Sequence, residues 1–96
     1  MVDSQTIKAG KKKIRAFSLN LGKNNLIVLL GRRGYCMCGY LNLGVARKFA
    51  DAAVKITGVS SIQDALKARV HSLTPAAKRL GLKKGQAIKD VLKIIA

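Results

Sequence analysis

Residues 14–30 read IRAFSLNLGKNNLIVLL. Side chains from Ile14 to Leu21 alternate between two faces, as a pleated strand requires. The turn-forming segment Gly22–Asn25 follows, and Leu26–Leu30 is apolar at every position. Such a strand is typically covered on both faces, so we expect helices on one side or a second subunit on the other. The stretch therefore predicts a β-hairpin that lies at the centre of a sheet or of an interface.

Further short strands are predicted on both sides of this hairpin. They are Thr6–Lys8, Tyr35–Tyr40 after the turn Gly31–Gly34, Lys55–Val59 and Ala68–Leu73. The pattern changes from strand-like to helix-like near Asn42. This order predicts an α+β fold in which N-terminal antiparallel β-hairpins are followed by three to four short helices packed on the sheet.

Capping residues mark where the predicted helices begin and end. An amphipathic helix is expected to begin at Asn42, because apolar residues recur at helical spacing as far as Ala53. Ser61–Asp64 resembles a capping box that opens a helix ending at Leu66 or Lys67. Thr74–Pro75 begins a short helix that Gly81 is placed to end. A final helix has one apolar face, formed by Ile88, Val91, Leu92 and Ile95.

The composition is strongly basic. The 96 residues include 19 lysines and arginines against four aspartates and no glutamate, for a formal net charge of +15. Like charges at this density repel one another, and a polyanion relieves the repulsion while its condensed counterions are released. Because 49% of the residues are apolar, the chain should nevertheless fold. We expect one domain over residues 1–96, with residues 1–13 as a basic N-terminal segment that has room for flexibility.

The basic residues form clusters near turns and element ends, which suits binding to phosphate backbones. The predicted RNA-binding residues are Lys11, Lys12, Lys13, Arg15, Lys23, Arg32, Arg33, Lys78, Arg79, Lys83 and Lys84. We expect Arg32 and Arg33 to contribute most, through their paired guanidinium groups. Only four aromatic residues are present, too few for a base-stacking surface, so structured RNA is favoured. Ribosomal RNA is the leading candidate, which makes a structural, ribosome-associated role the first hypothesis.

The two cysteines and the single histidine could carry other chemistry. Cys36 and Cys38 lie two residues apart on a predicted strand, where their thiols share a face and a disulfide between them is disfavoured. With His71 they supply at most three soft ligands without a metal-site spacing. The first interpretation is two small buried side chains, and the alternative is a nucleophilic Cys38 with His71 as its base. No paired carboxylates are present, so we predict no catalytic residue, no metal, no cofactor and no enzymatic activity.

The N-terminal residues lack the pattern of a signal peptide, and the longest apolar run has five residues. Two cysteines without a secretory context are typical of a reducing compartment. We therefore expect a cytoplasmic protein without a membrane partner.

Four segments together are similar to those of a known family. They are GYCMCGYL at 34–41, VSSIQDAL at 59–66, SLTPAA at 72–77 and LGLKKG at 80–85. In order and spacing they resemble the YunC-like family, a bacterial and archaeal domain of unknown function, from about Ile14 to Leu92. The resemblance implies an α+β domain whose N-terminal β region assembles into an oligomer, namely a tetramer. It implies no established activity. Its motif residues here, Gly34, Met37, Cys38 and Gly39, have no assigned role.

Two functional hypotheses follow. In the first, an oligomerising fold serves as an RNA-bound structural protein, with ribosomal protein neighbours or further copies of the chain as partners. In the second, a YunC-like oligomer binds a small molecule or uses a reactive cysteine, and its basic character is incidental.

Overall fold

A computed structural model describes residues 2–22, 24–38 and 43–96. The strands are β1 (Val2–Ala9), β2 (Lys12–Leu21), β3 (Asn24–Leu30), β4 (Tyr35–Met37), β5 (Ala53–Lys55) and β6 (Ser72–Leu73). The helices are α1 (Leu43–Lys48), α2 (Ile62–Lys67), α3 (Pro75–Arg79) and α4 (Ile88–Ile95). The predicted α+β class, with antiparallel strands first and short helices after them, is confirmed.

The strands form one six-stranded sheet in the order β1-β2-β3-β4-β5-β6. All neighbouring pairs are antiparallel except β4 and β5, which run parallel. The hairpin predicted from residues 14–30 is present, with a register that runs from Arg15 opposite Leu30 to Leu21 opposite Asn24. Gly22 occupies the turn with a φ of +64°, a conformation that glycine adopts without steric cost.

Helices α2 and α4 pack against one face of this sheet, the inner face. Ile27 and Leu29 of β3 point into this core and are fully buried. On the outer face of the same strand, Val28 is half-buried and Leu30 remains 43% exposed. Within the described chain, the all-apolar strand is therefore covered on its inner face, while its outer face stays partly open.

The amphipathic helix predicted from Asn42 is shorter than its apolar periodicity indicated. Helix α1 ends at Lys48, and Ala50 adopts a φ of +57° that takes the chain out of the helix. Ala53, expected on the helix, is instead the first residue of strand β5. This strand starts two residues before the predicted strand Lys55–Val59 and overlaps it at Lys55. The prediction was wrong here because pairing with β4, through the Cys36–Val54 register, outweighs the local helical pattern.

Several other boundaries differ from those predicted. The strand predicted at Thr6–Lys8 extends over Val2–Ala9 and pairs with β2 along its whole length. Strand β4 ends at Met37, and the rest of the predicted strand reaches residues 39–40, which lie outside the described residues, as does the predicted cap Asn42. The predicted strand Ala68–Leu73 is reduced to Ser72–Leu73.

The predicted helix caps in the second half are confirmed. The Ser61 hydroxyl accepts a hydrogen bond from the Asp64 amide, and the Thr74 hydroxyl accepts one from the Ala77 amide. Gly81, with a φ of +94°, follows α3. The four apolar residues predicted for the last helix are all buried.

Of the helices in the described ranges, the longest has eight residues, so none has the length and apolar character needed to cross a membrane.

Candidate nucleic-acid interface

Two basic clusters that are separate in sequence lie at the same end of the sheet. Arg15 pairs with Leu30 across β2 and β3. Lys12 and Lys13 precede Arg15 in an antiparallel strand, and the Arg32–Arg33 turn follows Leu30, so both clusters extend beyond the same end of the strands. The predicted lysine run and the predicted arginine pair are thus brought together.

The strand register also places two cations directly opposite each other. Lys8 of β1 faces Lys13 of β2, and both side chains are exposed. Like charges at directly opposed positions of an antiparallel pair destabilise it. A bound anion at this place would remove that repulsion.

Helix α4 adds further lysines to this end of the sheet. Lys89 and Lys93 lie four residues apart on the polar side of α4, and with Lys8 they line a cavity of about 220 Å³ beside the β1–β2 turn. The sequence analysis missed Lys8, Lys89 and Lys93. The i, i+4 spacing of Lys89 and Lys93 on the final helix was the available signal, but it did not indicate which strand the helix would contact.

We call this surface the basic end of the sheet. It comprises Lys8, Lys11, Lys12, Lys13, Arg15, Arg32, Arg33, Lys89 and Lys93.

The arginine turn is held against the C-terminus of α4. The Arg33 amide donates a 2.8 Å hydrogen bond to the Ile95 carbonyl, and its guanidinium donates one of 3.3 Å to the Ile94 carbonyl. A cation at a helix C-terminus is favoured by the helix dipole. The neighbouring Arg32 is exposed. The turn therefore has a defined position, with Arg33 anchored and Arg32 presented to solvent.

Arg15 is positioned by an aromatic ring. Its guanidinium carbon lies 5.4 Å from the centre of the Phe17 ring, a cation–π contact on the outer face of β2. The contact restrains the long side chain without using its hydrogen-bond donors, which remain suited to a phosphate.

Two of the four aspartates are bonded to uncharged partners. The Tyr35 hydroxyl donates to the Asp51 carboxylate at 2.9 Å, and the Ser60 amide and hydroxyl donate to the Asp64 carboxylate at 3.2 and 3.0 Å. The hydrogen bonds from Ser60 are the main reason that the pKa of Asp64 is lowered. In these hydrogen bonds the two carboxylates accept from neutral groups and do not neutralise a lysine or arginine.

The remaining predicted residues do not join the basic end. A separate cavity of about 400 Å³ beside β6 is lined by Lys78, Lys83 and Lys84. Strand β6 is the edge of the sheet opposite to β1. Arg79 is exposed in the last turn of α3. Lys23 lies outside the described residues.

The two thiols are buried, as the first interpretation of them predicted. Cys36 and Cys38 are 1% and 2% exposed. Burial, with a smaller contribution from Cys38, raises the pKa of Cys36 to about 12. The Ile27 amide donates to the Cys38 sulfur at 3.2 Å. A nucleophile needs an accessible thiolate, so this geometry does not favour the reactive-cysteine alternative.

The described residues contain no group of three or more His, Cys, Asp or Glu side chains arranged to hold a metal ion.

The fold and the order of its motifs define a small α+β domain of a family without an assigned activity. Residues 37–95 match the family described as Domain of unknown function (DUF1805), and the chain belongs to this family. The uncharacterized protein YunC of Bacillus subtilis (strain 168) is 29% identical over 96 aligned residues, which cover 96% of this chain and 95% of YunC.

The crystal structure of TA1206, a protein of unknown function from Thermoplasma acidophilum, has a closely similar fold. Its TM-score is 0.94 at 32% identity, and the match covers 100% of this chain and 94% of that chain. The resemblance to the YunC-like family is confirmed by these comparisons.

Proposed function

We propose that this protein binds structured RNA through the basic end of the sheet. The supporting observation is the convergence of the lysine run and the arginine turn at one end of the strands, where Lys8 and Lys13 also face each other. Binding to phosphates would neutralise this cluster and release counterions. Counterion release is the main source of affinity for proteins that bind nucleic acids through phosphate contacts.

The mode of binding is contact with the phosphate backbone. The helices of the described residues have at most eight residues, and the basic groups lie on a turn, a strand end and the side of α4. Such groups suit phosphates that are arranged by RNA shape, because structured RNA is recognised largely through its backbone and shape. Ribosomal RNA is the most abundant RNA of this type, so we place the protein on the ribosome in this proposal.

The first test compares two triple variants that lose the same charge. Lys12→Gln/Lys13→Gln/Arg32→Gln alters the basic end, and Arg79→Gln/Lys83→Gln/Lys84→Gln alters the far side. Binding to a fluorescent RNA hairpin is measured by anisotropy across a salt series. The first variant should bind at least roughly tenfold more weakly at physiological salt, and its salt slope should fall by roughly 3, about 0.9 for each phosphate that is no longer neutralised. The second variant should bind nearly as well as the parent protein.

Equal losses in the two variants would show that net charge alone attracts RNA, and the basic end would then not be the interface. A second measurement asks where the protein is found in cells. It should co-sediment with ribosomal particles from a lysate and dissociate in a high-salt wash. Absence from these particles at low salt would contradict the ribosomal role.

A further inference from the structure

We propose that the cavity beside β6 binds a small phosphate monoester, independently of RNA binding at the basic end. This cavity of about 400 Å³, which we call the His71 pocket, has a size typical of sites for small ligands. Its lining residues are His71, Ser72, Leu73, Lys78, Leu82, Lys83 and Lys84.

The charge of the pocket suits a dianion. Three of its seven lining residues are lysines, and none is acidic. A phosphate monoester carries close to two negative charges at neutral pH, whereas each phosphate of an RNA backbone carries one. Three lysines that line one cavity therefore favour a terminal phosphate over a backbone phosphodiester.

The pocket also contains short polar side chains that can orient an oxyanion. His71 Nδ1 and Ser72 Oγ lie 3.3 Å apart at the start of β6. The His71 amide is bonded to the Lys55 carbonyl at 2.8 Å, which ties this segment to strand β5. An imidazole N–H and a hydroxyl can each donate a hydrogen bond to a phosphate oxygen.

The loop that carries Lys83 and Lys84 is held in place before any ligand arrives. The Gln86 side chain accepts a hydrogen bond from the Lys83 amide at 3.1 Å, and the Gly85 amide donates to the Val70 carbonyl at 2.8 Å. The Val70 amide in turn donates to the Gln86 carbonyl at 2.9 Å. This double connection fixes the backbone of the two lysines next to His71, so binding would require little ordering of the loop.

The apolar part of the lining indicates the rest of the ligand. Leu73 is half-buried and Leu82 is 3% exposed, and both border the cavity. A ligand with a compact, partly apolar body attached to its phosphate would contact both groups of residues. Nucleoside monophosphates have this chemistry, and AMP is a suitable probe.

The test is a titration of the ¹⁵N-labelled full chain with AMP, inorganic phosphate or adenosine at constant ionic strength. AMP should shift the amide signals of residues 71–73 and 82–85, inorganic phosphate should shift the same signals with weaker affinity, and adenosine should not bind. Shifts confined to residues 8–15 and 32–33 would overturn the proposal. Adenosine binding as tightly as AMP would also overturn it, because the phosphate would then contribute nothing.

A matched pair of variants separates this site from the RNA interface. Lys83→Gln/Lys84→Gln should weaken AMP binding at least tenfold and leave binding to the RNA hairpin nearly unchanged. Lys12→Gln/Lys13→Gln removes the same charge and should have the opposite pattern. Equal loss of AMP affinity in both variants would contradict a defined pocket. Failure of RNA binding with AMP binding retained would reject only the RNA proposal.

Discussion

Gly31 shows how one residue determines where the arginine turn lies. A Cβ atom at this position would be 2.3 Å from the Ile95 carbonyl oxygen, far closer than van der Waals contact. The same carbonyl oxygen accepts a hydrogen bond from the Arg33 amide. The sequence analysis interpreted this glycine as a turn residue, and the structure adds the reason: only a residue without a side chain lets the turn approach the end of α4.

Cys36 and Tyr35 lead to a prediction about alkaline pH. Burial raises the pKa of Cys36 from 9.0 to about 12, and burial followed by the hydrogen bond to Asp51 raises that of Tyr35 from 10.0 to about 12. The unfolded chain therefore loses these protons at lower pH than the native state. The protonated side chains of Cys36 and Tyr35 make their full contribution to the free energy of unfolding below about pH 9. This contribution is lost as the pH rises from 9 towards 12.

The prediction is tested by urea unfolding between pH 8 and pH 11. The free energy of unfolding should fall with pH, and Cys36 should contribute up to about 1.4 kcal/mol for each pH unit above 9. The informative quantity is the difference from Cys36→Ala, which should have a shallower decline. Identical slopes for the two proteins would contradict the raised pKa.

Among the elements, helix α3 owes its position to its capping residue. The sequence predicted Thr74 as the cap before Pro75, and the structure confirms it. Its buried hydroxyl also donates to the Asp51 carbonyl at 2.6 Å and accepts from the Ala53 amide at 3.1 Å. One side chain thus joins α3, the start of β5 and the link from α1, which local sequence patterns could not show.

We expect Thr74→Val to destabilise the protein by at least about 2 kcal/mol, because it keeps the shape of the side chain but leaves buried polar groups of Ala53 and Asp51 without their partner. Thr74→Ser is the matched control. It retains the hydroxyl and should cost about 1 kcal/mol for the lost methyl group. Chemical denaturation of both variants measures the difference, and a Thr74→Val variant that is at least as stable as Thr74→Ser would contradict the role of the hydroxyl.

The boundary between α1 and β5 shows where element prediction fails. Ala50 and Ala53 continue the helical spacing of Ala46, and alanine suits a helix as well as a small buried position in a sheet. The strand is selected by long-range pairing with β4 and by the bonds to Thr74. Where a capping residue marked the start of a helix, as in α2 and α3, or an apolar face marked the helix, as in α4, the elements were predicted closely.

For the molecule as a whole, the high net charge predicts that self-association would depend on salt. The oligomer implied by the family resemblance stays a prediction. Subunits of charge +15 repel one another, so salt should favour self-association, whereas it should dissociate RNA complexes. Analytical ultracentrifugation of the RNA-stripped protein from about 50 mM to about 1 M salt should show more oligomer as salt rises. A monomer throughout the series would contradict the predicted tetramer.

The class of fold, the central hairpin, the caps of α2 and α3, the apolar face of α4 and the surplus of positive charge could be inferred from the order of residues. These features depend on alternation, periodicity and capping between near neighbours in the chain. Three placements could not be inferred in this way: Lys13 opposite Lys8, Lys93 beside one cavity with Lys8, and His71 beside another cavity with Lys78, Lys83 and Lys84. They depend on strand register and on where helices dock, which contacts between distant segments determine.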